Sequence, residues 1–287
     1  MTTSIPIPLL EQSECTHLAQ QAHALITLTK NPTPPNPTPP ILIHEPPPGL
    51  AIRTTPSNEG KLNCAVGLAI STPLTSHALT TLEHLYAEIG LYPEIHLSET
   101  AHPSAKSLLQ ERGYRVVGEV GVYLLSSALS SLSGLGDGEG LEVTELVNPT
   151  AEEKEEFVAA SVAGFRDTGR KEDLLALLAR LATVRADTGL FVAREAGGEV
   201  VGCAALGVLE TGGGEGEKIG HLYLDSTVPG YRGKGVHGAL IRARLNRCRE
   251  LGLKVVTLAT GVGGGSARNA EREGFELGYR KDVWVYN

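Results

Sequence analysis

Residues 227–240 read TVPGYRGKGVHGAL. Within them Arg232 is followed by Gly233, Lys234, Gly235, Val236, His237 and Gly238, which spell G-x-G-x-x-G. Glycines between a strand pattern and a helix pattern let backbone N–H groups close on a phosphate, helped by the positive end of the helix dipole. From Val228 to Lys254 there are seven Lys or Arg and one acid, Glu250, in a chain of formal net charge -8. That local excess suits an anionic ligand with several phosphates. Most of these cations read as a solvated helix face. Arg232 and Lys234, inside the loop, are the ones that read as ligand groups.

Two well-known phosphate loops do not fit. A dinucleotide fold places an acid about 20 residues further on to hold the ribose, and needs a full second half of sheet. Here the next strand ends LATGVGGG, with no acid, and the chain stops soon after. A Walker loop requires Ser or Thr after the lysine, and Lys234 is followed by Gly235.

The elements that must carry the loop follow from periodicity. LEVTELV (141–147) alternates like a strand, and Thr150 with Glu153 forms a capping box ahead of EEFVAASVAGF. EDLLALLARLATV (172–184) has leucines at helical spacing, with Gly189 as its expected stop. Three strands follow, at 190–196, 199–210 and 217–228, turned by Gly-Gly and by TGGGEG. After the loop, HGALIRARLNRCRELG puts Ile241, Leu245, Cys248 and Leu251 on one face. A strand at 254–260, a short helix at 266–273 and one or two strands at 274–286 complete the order β-α-α-β-β-β-α-β-α-β.

Residues 126–140, SSALSSLSGLGDGEG, are Ser- and Gly-rich and are expected to be a flexible linker. They divide the chain into 1–125 and 141–287. NPTPPNPTPP (31–40) reads as a solvated, extended loop. The first part carries a faded copy of the second. SAKSLLQERGYRVVGEVGVYLL (104–125) parallels SARNAEREGFELGYRKDVWVY (266–286), with Gly113-Tyr114 on Gly274-Phe275 and Val122-Tyr123 on Val283-Trp284. An internal duplication at domain size is the expectation.

Composition sets bounds. The acidic balance argues against a nucleic-acid binder. No apolar run is long enough to span a membrane, and the first residues lack the pattern of a secretory signal. Cys15, Cys64, Cys203 and Cys248 form no C-x-x-C pair, so neither a disulfide framework nor a bound metal is expected. Reduced thiols fit a cytoplasmic protein, a monomer or a homodimer.

The string R-G-K-G-V-H, between LYLDSTVPGY and an Arg-rich helix, resembles motif A of the GNAT acyltransferase superfamily, R/Q-x-x-G-x-G/A. The order of elements over 141–287 also resembles that fold. The resemblance implies an α/β (α+β) protein: a mixed central sheet flanked by helices in each of two GNAT-like acyl-CoA N-acyltransferase domains. Residues 1–125 would be the degenerate copy, with STPLTSHALTT where the loop should be. It further implies acetyl-CoA as co-substrate, with no metal, and an amine as acceptor. Carried onto this sequence, Arg232, Gly233, Lys234, Gly235, Val236 and Gly238 would line the pyrophosphate. Thr227 and Val228 would offer backbone groups to the pantetheine, with Ser266 and Asn269 nearby. His237 departs from the motif's final Gly/Ala, so its side chain must point away from the phosphates.

Direct attack of an amine on a thioester requires a neutral amine, a donor for the carbonyl oxygen and a proton for the thiolate. The family's usual acid, a tyrosine, is replaced by Ala270; Tyr279 and Tyr286 are the substitutes in sequence. His221, Tyr223 and Asp225 alternate onto one strand face, which makes Asp225 and then His221 the candidate bases. The alternative reading is a CoA-binding or scaffold protein of this fold without transfer.

Overall fold

In the computed structural model, residues 5–29, 41–46, 49–58, 60–126, 140–211 and 218–287 are described. The proline-rich stretch 31–40, the body of the expected linker at 127–139 and the turn at 212–217 lie outside them. The chain forms two compact units, the first drawing on both ends of the sequence and the second on its interior. Unit 1 comprises Met1–Gly121, Glu210–Glu217 and Tyr279–Asn287; unit 2 comprises Val122–Leu209 and Lys218–Gly278.

Unit 1 holds α1 (Ile7–Thr29), β1 (Leu42–His44), β2 (Leu50–Arg53), β3 (Cys64–Val66), α2 (Ser76–Ala87), β4 (Glu94–Ser98) and α3 (Ser104–Glu111). Its strands run β1-β2-β3-β4, closed by the end of β11 (Glu276–Tyr286). β3 and β4 are parallel, joined by the α2 crossover, and β11 pairs antiparallel with β4 through Lys281–Trp284. Trp284 is buried there among Leu79, Leu82, Ile95 and Leu109. Thr75 caps α2 by accepting from the Ala78 N–H. That is local helix chemistry of the kind worth about 1 kcal/mol.

Unit 2 begins with the end of β5 (Tyr114–Leu125) and continues with β6 (Leu141–Leu146), α4 (Ala151–Phe165), α5 (Glu172–Val184), β7 (Thr188–Glu195), β8 (Val200–Glu210), β9 (Lys218–Thr227), α6 (Val236–Glu250), β10 (Val256–Gly261) and α7 (Gly265–Arg272). Its sheet order is β6-β7-β8-β9-β10-β5, antiparallel from β6 to β8 and parallel between β9 and β10. Period-two patterning places its two cores. Leu190, Val192, Cys203 and Ala205 face Phe157 and Leu175 of α4 and α5. Phe191, Ala193, Ala204 and Leu206 face Leu240, Ile241 and Leu245 of α6. Each Leu, Ile, Val or Phe among them contributes about 1.5–3 kcal/mol when fully buried.

The capping box forms as expected: Glu153 N–H donates to Thr150 Oγ1 (3.2 Å), and Thr150 N–H donates to Glu153 Oε2 (2.7 Å). Gly189 is not the stop of α5. The helix ends at Val184 because Arg185 turns extended and its guanidinium grips Asp187, and Gly189 lies inside β7. The repeated helix–glycine–strand unit is real in shape. Gly113 after α3 and Gly274 after α7 are both left-handed, at φ 87° and 91°. The expected halves and the observed units differ at the strands those glycines lead into. Tyr123 of β5 is buried in the core of unit 2, whereas Trp284 of β11 is buried in the core of unit 1.

Candidate functional site

The site sits where β9 leaves its partner. β9 and β10 pair at Gly220–Leu222 against Val256–Leu258, and both run on past that register. Leu224 then takes φ 55°, a conformation rarely seen for a residue with a branched Cγ. The result is a bulge: Tyr223 and Leu224 both pack toward the α4–α5 core. Alternation is therefore broken, and Asp225 turns to the α6 side.

This corrects the expected grouping of His221, Tyr223 and Asp225 on one face. Asp225 meets Arg244, whose side chain is 0% exposed; Nη1 donates to Oδ2 (3.2 Å) and Nη2 to Oδ1. Arg244 also donates to the carbonyls of Leu240 and Ala205. His237 Nε2 lies 3.2 Å from Asp225 Oδ1. Asn269 Nδ2 donates to His237 Nδ1 (2.9 Å), and Arg272 fixes that amide by donating to its Oδ1. The chain of bonds sets the imidazole tautomer with its proton on Nε2, toward Asp225. Burial alone would raise the Asp225 carboxyl, but Arg244 and His237 outweigh it and hold it well below the usual carboxylate range. A carboxylate so engaged is a poor proton acceptor; Asp225 ties β9, α6 and α7 together.

His221 is buried, with Nδ1 3.1 Å from Thr257 Oγ1 on β10. Tyr223 shares a hydrogen bond with Thr188 (2.8 Å) beneath the Arg185 guanidinium, and burial pushes its phenol up to about 12. Tyr279 belongs to unit 1. Its hydroxyl donates to Glu11 Oε1 (2.5 Å), and burial beside Glu11 and Glu14 raises it far above the phenol range, so it does not fit the role of acid. Tyr286, the other sequence substitute, stacks on Tyr92 with centroids 3.7 Å apart in unit 1.

The loop itself is built for backbone donation. Gly235 is the N-cap of α6 at φ 84°, and no side chain caps the helix. Gly233 has φ 78°. A Cβ at either glycine would meet nothing within 4 Å, so the requirement is conformational rather than steric. The first-turn amides of Val236, His237 and Gly238 have no partner within their own helix by construction. Arg232 and Lys234 N–H groups close the preceding turn on Pro229 and Tyr231 carbonyls. The Val228 N–H is engaged too, donating to Val201 O (2.9 Å). Thr227, at the end of β9, and Ser266, in the first turn of α7, are both half-buried.

The loop cations are held loosely. Arg232 donates to Asp167 Oδ2 (2.7 Å) and to Gly164 O (2.9 Å), and both side chains of the ion pair are largely exposed. Lys234 Nζ lies over the Tyr231 ring at 4.5 Å. An exposed pair of this kind is worth about 1 kcal/mol or less, so Arg232 exchanges readily to a more highly charged partner. No group of His, Cys, Asp and Glu among the described residues is arranged to hold a metal. Cys64 and Cys248 are buried with thiols pushed up to about 12, and burial raises Cys203 further, so none is a ready nucleophile.

Sequence reasoning missed Arg244. The signal was present: it shares the α6 face of Ile241, Leu245 and Cys248, an arginine inside an apolar stripe. It also missed Gly164. A Cβ there would lie 1.9 Å from Ser226 Oγ and 2.8 Å from Thr227 N, so α4 can cross the end of β9 only at a glycine.

The Acetyltransferase (GNAT) family model matches residues 151–275, a span that contains the loop and its bracing helices. No curated protein sequence matches the chain. Among solved structures, a GCN5-related N-acetyltransferase from Kribbella flavida aligns at TM-score 0.63 and 16% identity, over 96% of this chain and 94% of that one. A GCN5-related N-acetyltransferase from Sphaerobacter thermophilus gives TM-score 0.54 at 14% identity, over 97% and 92%. A tandem GNAT protein from the clavulanic acid biosynthesis pathway gives the same TM-score, 0.54, at 14% identity over 94% of each chain. Residues 151–275 thus match the GNAT acetyltransferase family model, and the fold of the whole chain is that of the GNAT N-acetyltransferases, with a GNAT-like N-terminal part.

Proposed function

We propose that unit 2 transfers an acetyl group from acetyl-CoA to an amine by direct attack. The observation that carries this reading is the uncapped start of α6. Left-handed Gly233 and Gly235 precede it, and two exposed cations, Arg232 and Lys234, flank it at the parting of β9 and β10. Amides of Gly235, Val236, His237 and Gly238 would take the pyrophosphate, with Arg232 leaving Asp167 for it. The match of residues 151–275 to an acetyltransferase family model supports the acyl chemistry in general.

Asn269 and His237 have structural work in this reading: they brace the loop from α7. Ser266, half-exposed at the head of that helix, and the Thr227 backbone remain for the pantetheine arm. Direct attack requires no protein nucleophile, which agrees with the protonated thiols. Of the four candidate acid–base groups, Asp225, His221, Tyr279 and Tyr286, His221 is the one we retain. It lies in unit 2 on the strand that leads to the loop, and an imidazole can accept the amine proton near neutral pH. Replacing it by Gln should flatten the acid limb of kcat/KM against pH while leaving acetyl-CoA affinity within about twofold. An unchanged pH profile would remove His221 from the mechanism.

A second reading, CoA binding without transfer, is favoured by one observation. Ala270, at the position of the family's usual acid, is fully buried and has no ionisable group to give a proton. Release of free thiol from acetyl-CoA in the presence of an amine panel separates the two: turnover supports transfer, and stoichiometric binding with no turnover supports the second.

A further inference from the structure

Unit 1 holds a cavity that the acyl-transfer reading does not use. It measures about 470 Å³, within the usual range of small-molecule sites, and lies between α1 and the strands and loops beneath it. Its walls include Glu11, Gln12, Cys15, Glu45, Leu50 and Ile70. All belong to unit 1.

The chemistry of the wall is one-sided. Two carboxylates line it, and no lysine or arginine does among its described lining residues. Lys281 stands behind Glu11 and is itself 2% exposed, with Nζ 2.7 Å from Glu11 Oε1. Tyr279 donates to that same oxygen at 2.5 Å. The Lys281 ion pair and the Tyr279 hydrogen bond therefore both converge on Oε1. The other oxygen, Oε2, is buried without a hydrogen-bond partner, on a side chain only 2% exposed that lines the cavity. A buried carboxylate oxygen left unpaired keeps its full desolvation penalty, and a ligand N–H would relieve it. The remaining wall is apolar at Pro8, Ala19, Leu50 and Ile70. Burial and the neighbouring Glu11 push the Cys15 thiol up to about 12, and it donates to Val66 O, so it adds a neutral wall rather than a reactive one.

From this geometry we infer that unit 1 binds a small organic cation, an ammonium group on an apolar body, with the ammonium donating to Glu11 Oε2. The site is independent of the acyl-CoA loop in unit 2 and does not rest on that reading. Its ligand is selected by charge at one end and by apolar contact at the other.

The test uses the full chain and three probes of similar shape: 2-phenylethylamine, 2-phenylethanol and 3-phenylpropanoate. Binding is followed by calorimetry, with acetyl-CoA titrated into the same samples. The amine should bind at millimolar concentration or below. The alcohol should be about tenfold weaker or more, a difference of 1.4 kcal/mol, and the carboxylate should not bind. Glu11→Gln should lower amine affinity by a similar factor. Because Glu11 also pairs with Lys281, a second variant avoids the buried cluster: Ser71→Trp fills the cavity from its exposed rim and should abolish amine binding with the acetyl-CoA response unchanged. No amine binding at millimolar concentration would overturn the inference. So would equal binding of the three probes, or wild-type affinity in Ser71→Trp.

Discussion

Asp225→Asn removes the charge that faces Arg244 while keeping the size of the side chain. Arg244 is 0% exposed, so its guanidinium cannot swing out to water. Loss of one partner from a buried pair costs about 3–5 kcal/mol, because the other charge is left uncompensated. Arg244 keeps its bonds to the Leu240 and Ala205 carbonyls, which places the expected cost near 3 kcal/mol, the lower end of that range. The variant should therefore lose much of the stability of unit 2. The single tryptophan, Trp284, lies in unit 1 and will not report this change. Hydrogen exchange at the α6 and β9 amides will. Replacing both partners, Asp225→Leu with Arg244→Met, should return to within about 1–2 kcal/mol of the parent, since an apolar pair carries no desolvation cost. Acid behaves in the same sense. The folded carboxyl lies below its ordinary 3.8, so its stabilisation is complete above that value and is lost as pH falls from 3.8 toward the lowered one. If Asp225→Asn unfolds within about 1 kcal/mol of the parent but loses all transfer activity, the structural role assigned here is wrong and Asp225 acts on the reacting groups.

Other expectations follow from the same geometry. Gly235→Ala forces a Cβ into a left-handed position and should cost about 1–2 kcal/mol, read by thermal unfolding, together with weaker acetyl-CoA binding. Arg232→Ala breaks only an exposed pair, so stability should move by less than about 1 kcal/mol. Its acetyl-CoA affinity should fall about 10- to 100-fold, as expected for loss of a charged hydrogen bond worth 1.5–3 kcal/mol. Cys64, Cys203 and Cys248 should resist iodoacetamide at mildly alkaline pH in the native protein and react on unfolding, as mass spectrometry will show. Gly164→Ala should push α4 off the end of β9 and lower both stability and acetyl-CoA affinity, since the added carbon meets Ser226 and the Thr227 backbone.

Much of the loop was legible because glycine and charge are local signals. Gly233 and Gly235 take the left-handed conformations their type permits, and the strand and helix on either side appear where periodicity put them. Thr150 and Glu153 form their box because both partners lie within one turn. The bulge at Leu224 was not legible: nothing about leucine announces a positive φ, which is imposed by the strands and helices around it. That one residue reverses the faces of everything after it, so the expected His221–Tyr223–Asp225 face dissolved. The destination of the last strands was hidden for another reason. Alternation says which side chains turn inward but not which sheet receives them, and Tyr123 and Trp284 entered different cores from matching positions. Arg244 shows the reverse case, a signal available in the helix pattern that lacked a partner until Asp225 turned toward it.

The central claim is that the Arg232–Gly238 loop holds the pyrophosphate of acetyl-CoA. Calorimetric titration of the full chain with acetyl-CoA tests it, beside the variant Arg232→Ala/Gly235→Asp and with NADH as a control ligand. One acetyl-CoA should bind per chain, the variant should lose it, and NADH should give no response. Absence of acetyl-CoA binding to the parent protein, or equal binding to the variant, would contradict it.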